Sequence, residues 1–258
     1  MDQRIAPKQV PLSTLLGELA VFKEEWLKSP FSNQLRGLLL VRSVWNIDRA
    51  VVVGLGNMTP LLDYDDDENE YRRRRKQRLT QLTIFLDIVD ILSTAQGGRQ
   101  IKIYASDPAF ERIDKAFLKK LGIKVVKEAE EHVTSSTFVY SPFCPWYVGV
   151  AAIRHSPQLY LGVSIQLIMD LHEPRQEPQY GFDMTEEQAA TTEKFLQTRV
   201  MQSFPGLEHY PDSEEGMQWA EFKKLAPELV ALTSQALWGA FSFYWPKSGP
   251  LPPVTTED

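Results

Sequence analysis

A run of four apolar residues, Ala50-Val51-Val52-Val53, is the feature of the sequence that most constrains the fold. Three of the four are valines and none is polar, a composition typical of a strand buried on both faces of a parallel sheet. Gly54-Leu55-Gly56-Asn57 follows at once. Because parallel neighbours are joined by crossover segments, usually helices, the run predicts a chain that alternates strands and helices.

The rest of the chain has that alternation. Further strands are predicted at residues 101–105, 123–126, 137–140 and 158–165, and helices at 71–92, 107–121 and 145–153. The pattern predicts an α/β fold, Rossmann-like, with a mostly parallel sheet of about five strands and added N- and C-terminal helices. The expected divisions are N-terminal helices packed on the core (1–43), the Rossmann-like core (44–168), a C-terminal helical extension (169–247) and a disordered tail (248–258).

Capping residues predict where the flanking helices begin and end. Ser13 is expected to cap the first helix, Ser29-Pro30 to end it, and Ser32-Asn33 to open a second. Thr185-Glu186-Glu187-Gln188 fits a capping box for a helix that ends near Phe204. A last helix is predicted at about residues 216–243.

Composition limits the class of protein more than its chemistry. Of the 258 residues 43% are hydrophobic and 24% charged, which excludes disordered and collagen-like chains. The single Cys144 cannot form an internal disulfide, the first residues lack the apolar core of a signal peptide, and no apolar run is long enough to span a bilayer. We therefore expect a cytoplasmic protein (or a nuclear one) without a membrane partner. Its net charge of −6 argues against a protein that coats nucleic acid.

Five residues at the predicted carboxyl ends of the strands are candidates for binding a cofactor or a nucleotide-like small molecule: Gly54, Gly56, Asn57, Asp107 and Cys144. Glycines after a strand let a ligand approach the backbone, and the following helix would offer free N–H groups. Each has a plainer alternative. The dinucleotide pattern G-x-G-x-x-G is incomplete because position 59 is Thr, so the glycines could form only a tight turn. Asp107-Pro108 could cap a helix rather than contact a ribose, and Cys144 could be a small apolar filler.

An acidic run between Asp63 and Glu70 precedes a basic one, Arg72 to Lys76. Asp66, Asp67 and Glu70 form a D-D-x-x-E pattern, and clustered carboxylates could bind Mg²⁺ or an aminoacyl group. The same residues could be a solvated helix start, since Glu68 with Arg72 and Glu70 with Arg74 have favourable i,i+4 spacing. Arg72 to Arg75, Lys76 and Arg78 could equally form a small basic patch for phosphates or tRNA. The four histidines lack metal-ligand spacing, so no metal site is predicted.

The order of these pieces resembles the SRR-like domain, named for the plant trait "sensitivity to red light reduced". The matching motifs lie between residues 44 and 164: the strand with Gly54-x-Gly56, Arg78-x-x-Gln81-Leu82, Asp107-Pro108-Ala109-Phe110, Leu121-Gly122, Pro142-Phe143-Cys144 and Leu161-Gly162-Val163-Ser164. Members are associated with light and circadian signalling in plants, and with stress responses and haem metabolism in fungi and animals. The resemblance implies a regulatory or ligand-binding protein.

Two departures make the chain look like a divergent member of the family, which we expect to be of the fungal type. The family usually has a Met-Pro-His-Cys turn, whereas the chain reads Ser141-Pro142-Phe143-Cys144, so the better haem or metal ligand is missing. The family's Asn is also absent, with Val163 between Gly162 and Ser164. No cofactor is therefore assigned.

Two other functions remain open. The D-D-x-x-E letters resemble those of fungal arginine-containing cyclodipeptide synthases, which use aminoacyl-tRNA; this alternative makes Asp66, Asp67 and Glu70 catalytic and tRNA a partner. Alternatively, the helical ends could present Trp219, Trp238 and Trp245 as a docking face for a protein partner.

Overall fold

A seven-stranded sheet organises the part of the chain that the computed structural model describes, residues 10–42, 45–59, 68–142, 144–172, 184–205 and 241–247. The helices are α1 (Leu12–Lys28), α2 (Pro30–Leu40), α3 (Glu68–Ala95), α4 (Arg112–Lys120), α5 (Trp146–Ile153), α6 (Ile165–His172) and α7 (Glu186–Gln197). The strands are β1 (Arg49–Val53), β2 (Lys102–Ser106), β3 (Lys124–Val125), β4 (Thr137–Ser141), β5 (Leu159–Val163), β6 (Arg199–Ser203) and β7 (Phe241–Pro246).

The strand order is β3-β2-β1-β4-β5-β7-β6. The first five strands are parallel, in the order of a doubly wound nucleotide-binding sheet. β7 pairs antiparallel with both β5 and β6. The prediction of an α/β fold with a mostly parallel sheet is confirmed, whereas the predicted number of about five strands is wrong.

Helices cover both faces of the sheet, which explains the continuous apolar run in β1. Ala50 and Val52 pack in the larger core, together with residues of α1 to α4. Val51 and Val53 pack in the second core, with residues of α5, α6 and α7. Residues 50–53 of β1 are all buried and only Arg49, at the start of the strand, is polar, so the burial predicted from the sequence is confirmed.

Both predicted N-terminal helices are present, but their starts and caps differ: α2 begins at Pro30, so the predicted opening at Ser32-Asn33 is wrong. α1 begins at Leu12 after Pro11 without a side-chain cap, so Ser13 lies inside its first turn and the predicted cap is wrong. Ser29 both follows α1 and caps α2, since its side-chain oxygen accepts a hydrogen bond from the Ser32 amide at 3.2 Å. Pro30 fits the first turn of α2 because that position needs no amide donor.

The C-terminal part departs most from the sequence prediction. The capping box at Thr185 is confirmed, but α7 ends at Gln197 and not near Phe204, because β6 begins at Arg199. Phe241 and the residues after it lie in β7, so a helix reaching Phe243 is wrong for this stretch. The rest of that predicted helix, and residues 248–258, lie outside the described residues. The division into domains stays a prediction.

In the described segments, no helix is both long enough and apolar enough to cross a membrane.

Candidate functional site

A cavity of about 490 Å³ opens where the carboxyl ends of β1, β2 and β4 meet. The helix that follows β1 packs on one face of the sheet, and the helix that follows β4 packs on the other. Because these two neighbouring strands continue to opposite faces, a crevice stays open between their ends. Gly54, Gly56, Asp107 and Cys144 all line this cavity, which we call the switch-point cavity. The structure thus brings together four of the five candidate binding residues; Asn57 is not among the lining residues.

The two glycines are required by their backbone conformation and by their neighbours. Gly54 has φ +71° and Gly56 has φ +73°, in the left-handed region that side chains other than glycine rarely adopt. A Cβ on Gly54 would overlap the Sγ of Cys144, and a Cβ on Gly56 would lie 2.7 Å from Nε of Arg78. The turn after β1 therefore passes against the residues after β4 on one side and against α3 on the other.

Two carboxylates bind the backbone of this turn. Asp107 accepts hydrogen bonds from the amides of Gly56 at 2.7 Å and of Ala109 at 2.8 Å, one on each oxygen. Asp114 is fully buried and accepts from the amides of Met58 and Glu111, both at 2.8 Å. Burial raises the pKa of Asp114, while its two backbone hydrogen bonds oppose the rise.

These contacts correct two expectations. Asp107 does not cap α4, because that helix begins at Arg112 after Glu111, and residues 107–110 form a separate turn. The glycine turn also does not lead directly into a helix, since residues 57–59, which follow it, are not helical. The amides of Gly56 and Met58 are bound to carboxylates and the amide of Gly54 to the Ser106 backbone oxygen, so these three N–H groups are not free to bind a phosphate.

Arg78 and Lys127 are the cations that line the cavity, and the sequence had offered Arg78 only as part of a basic patch for phosphates or tRNA. Nη1 of Arg78 donates to the backbone oxygen of Asn57 and, at 2.7 Å, to the Asn57 side-chain oxygen. Asn57 therefore positions Arg78. Burial, and then the charge of Arg74, lower the pKa of the Arg78 guanidinium, while Asp107 and Asp114 act in the opposite direction. The signal available in the sequence was its place in the Arg78-x-x-Gln81-Leu82 motif, on the helix predicted after the glycine turn.

Cys144 faces the cavity as a neutral thiol. Burial raises its pKa to about 11, and a hydrogen bond with Ser141 only partly offsets this. A nucleophile or a metal ligand needs the thiolate, which is scarce at neutral pH under these conditions. The described lining of the cavity contains no histidine, and the described residues contain no cluster of three metal-binding side chains. The residues present do not fit a haem–thiolate site.

Behind Cys144, Tyr160 occupies space that two glycines leave open. Its hydroxyl lies 2.6 Å from where a Cβ of Gly162 would stand and 2.8 Å from that of Gly149. Burial raises the pKa of Tyr160, as does the neighbouring Cys144. Gly162 in the Leu161-Gly162-Val163-Ser164 motif is thus explained by packing against a buried tyrosine.

The acidic run falls mostly outside what can be described. Asp66 and Asp67 lie outside the described residues, and Glu70 is described only as a backbone position in the first turn of α3. In the basic run, Arg75 pairs with Glu18 of α1 at 2.9 Å, which is a structural contact between helices. The catalytic role of the D-D-x-x-E residues stays a hypothesis.

Of the three tryptophans considered for docking, only Trp245 is described. It lies in β7, not in a helix, and the guanidinium of Arg42 stands 5.6 Å from its ring centroid.

The chain was also compared with known proteins. A family model described as the SRR1 domain matches residues 28–228, a longer span than residues 44–164 on which the motif resemblance rested. No curated protein and no solved structure matches. Since the family model covers well over half of the 258 residues, the chain belongs to the SRR1 domain family.

Proposed function

We propose that this SRR1-domain protein binds a nucleotide-like small molecule in the switch-point cavity and acts as a regulatory, ligand-binding protein. The observation that carries the proposal is the position of the cavity between the ends of β1 and β4. In open α/β sheets this is where ligands bind. A volume of about 490 Å³ lies within the range of small-molecule sites.

The lining suits a molecule with a flat apolar part and a polar sugar. Four valines contribute to it: Val53, Val133, Val139 and Val148. Asp107 follows β2, the position at which many nucleotide-binding folds place a carboxylate against ribose hydroxyls. Each carboxylate oxygen of Asp107 accepts one backbone amide and keeps a second lone pair for a ligand hydroxyl.

Regulation, and not a covalent reaction, fits the chemistry of the cavity. The thiol of Cys144 is protonated at neutral pH, and Arg78 and Asp107 are already engaged with the backbone of the turn. Such groups can bind and orient a ligand without an activated nucleophile. The links to stress responses or haem metabolism remain what the family resemblance implies.

Calorimetric titration with adenosine, guanosine and their mono-, di- and triphosphates tests the proposal, with native mass spectrometry of the purified protein to detect a retained ligand. Val148→Phe fills the cavity from α5, and we expect it to weaken binding at least tenfold. Val21→Phe, at an exposed position of α1 away from the cavity, is the matched control and should leave binding unchanged.

Bound ligand should also protect Cys144, the sole cysteine, from alkylation in the wild type. Absence of binding by every nucleoside and nucleotide at millimolar concentration, together with a mass spectrum showing only protein, would overturn the proposal.

A further inference from the structure

A second cavity, of about 990 Å³, lies beside the switch-point cavity, between α4 and the outer edge strand β3. The two cavities share four lining residues: Asp107, Pro108, Lys127 and Glu128. They therefore form one continuous depression that begins at the ends of β1 and β4 and extends past Asp107 to the edge of the sheet.

This second cavity, which we call the lysine groove, is lined by Lys115 and Lys119 of α4, Lys124 of β3 and Lys127 in the segment after β3. All four side chains are exposed. The acids in the lining are Asp107, which accepts two backbone amides, and Glu128, which lies 3.2 Å from Lys127. Among the described residues, the other three lysines have no ion-pair partner.

The concentration of positive charge needs an explanation because Lys115 and Lys119 are one helical turn apart, a spacing at which like charges destabilise a helix. The helix dipole favours Lys119 in the last turn of α4, and a lysine on an edge strand such as Lys124 opposes aggregation. Lys127 pairs with Glu128, and Lys115 stands four residues after Glu111, a favourable spacing on a helix, but neither acid balances the charge of all four lysines. What the four amino groups share is the groove.

We propose that the ligand of the switch-point cavity is phosphorylated and that its phosphates lie in the lysine groove. This inference rests on the proposed function. A sugar held at Asp107 stands where the two cavities join, so phosphates attached to it reach the groove directly. The amides of Gly56 and Met58 are already bound to Asp107 and Asp114, so the lysines of the groove supply the groups that bind phosphate.

Calorimetric titration with adenosine and ATP, and with guanosine and GTP, tests the inference in the full chain. We expect the triphosphate to bind at least tenfold more tightly than its nucleoside, about 1.4 kcal/mol. The difference should shrink as salt concentration rises, because exposed charges are screened.

The decisive variant replaces by glutamine the three groove lysines that do not line the switch-point cavity (Lys115, Lys119 and Lys124), and a matched control replaces Lys28, Lys102 and Lys194, which are exposed elsewhere. The groove variant should bind nucleoside as the wild type does and lose the preference for triphosphate, while the control keeps both. Circular dichroism and thermal unfolding establish that both variants fold.

Equal binding of nucleoside and triphosphate by the wild type would overturn the inference and leave the proposed function standing. A preference for triphosphate that survives in the groove variant would also overturn it. Binding of neither compound would overturn both proposals.

Discussion

Gly54 is the residue that allows β1 and β4 to end side by side. It combines φ +71° with a position where any Cβ would overlap the Sγ of Cys144. Gly97, after α3, has nearly the same φ of +72° but nothing within 4 Å of a Cβ. The two glycines therefore separate the cost of backbone strain from the cost of a steric clash.

We expect Gly97→Ala to lower the free energy of unfolding by about 1 kcal/mol through strain alone. Gly54→Ala should cost at least about 1 kcal/mol more, because the clash adds to the strain. Urea unfolding of both variants measures this difference. Adding Cys144→Ala to Gly54→Ala should restore part of the loss; equal costs for the two single variants would contradict the close contact.

The Cys144 thiol offers a prediction on pH. Since its pKa is raised to about 11, native protein should react with iodoacetamide at pH 8 on the order of a hundredfold more slowly than a free cysteine. The alkylation rate should rise with pH towards about 11. With one cysteine in the chain, mass spectrometry counts the reaction directly, and denatured protein serves as the control.

The same shift has a consequence for stability. A thiol whose pKa is higher in the folded state contributes stability that is present below its ordinary pKa of 9.0 and lost as pH rises through about 11. Cys144→Ala should remove the part of the loss of folding stability at alkaline pH that comes from this thiol. For the alkylation experiment, a reaction rate of the native protein equal to that of the denatured chain would show that the thiol is not buried.

At the scale of elements, the buried carboxylate of Asp87 holds α1 and α2 against α3. One of its oxygens accepts from the Trp26 ring nitrogen at 2.8 Å and from the Ser32 hydroxyl at 3.1 Å. The other lies 3.5 Å from the guanidinium of Arg36. One side chain on α3 thus binds residues of both N-terminal helices and adds polar contacts to the apolar packing of α1 and α2 on the core.

Asp87→Ala should lower the free energy of unfolding by about 2–4 kcal/mol, because it leaves a buried indole N–H without an acceptor. Asp90→Ala is the control on the same helix. Asp90 is 66% exposed and lies 3.6 Å from Lys23, so its loss should cost less than about 0.5 kcal/mol. Chemical denaturation measures both; similar costs would show that Asp87 does not join the helices.

At the scale of the whole molecule, the sheet is completed by its last strand. β7 is the final described element in the chain, yet it lies inside the sheet between β5 and β6. Its Phe241, Phe243 and Tyr244 are buried, and its backbone pairs on both sides. β6 has no other neighbour among the described strands, so the edge of the sheet depends on β7.

Ending the chain after residue 240 should therefore abolish cooperative unfolding, since β5 and β6 lose the strand that joins them. Ending it after Lys247 keeps all of β7 and removes only the proline-rich residues 248–258, so its melting temperature should stay within about 2 °C of the full chain. Thermal unfolding followed by circular dichroism compares the two. A cooperative transition in the shorter chain would contradict the structural role of β7.

The local pattern of the chain was sufficient for the parallel core. Apolar runs such as residues 50–53, helical periodicity and the Thr185 capping box each depend on neighbours in sequence, and those features are present in the structure. β7 was missed because its run, Phe-Ser-Phe-Tyr-Trp-Pro, is short and largely apolar. Strand and helix cannot be told apart in such a run without knowing what it pairs with.

The candidate site divides in the same way. Sequence by itself determined that Gly54, Gly56, Asp107 and Cys144 follow strands, and strands that run parallel bring their ends to one edge. Only the tertiary structure decided that Asp107 binds the glycine turn and does not cap α4, that Arg78 enters the cavity, and that Cys144 is a protonated thiol. The physical reason is distance along the chain: hydrogen bonds and desolvation that set these roles join residues about 20 to 90 positions apart, and no local pattern records them.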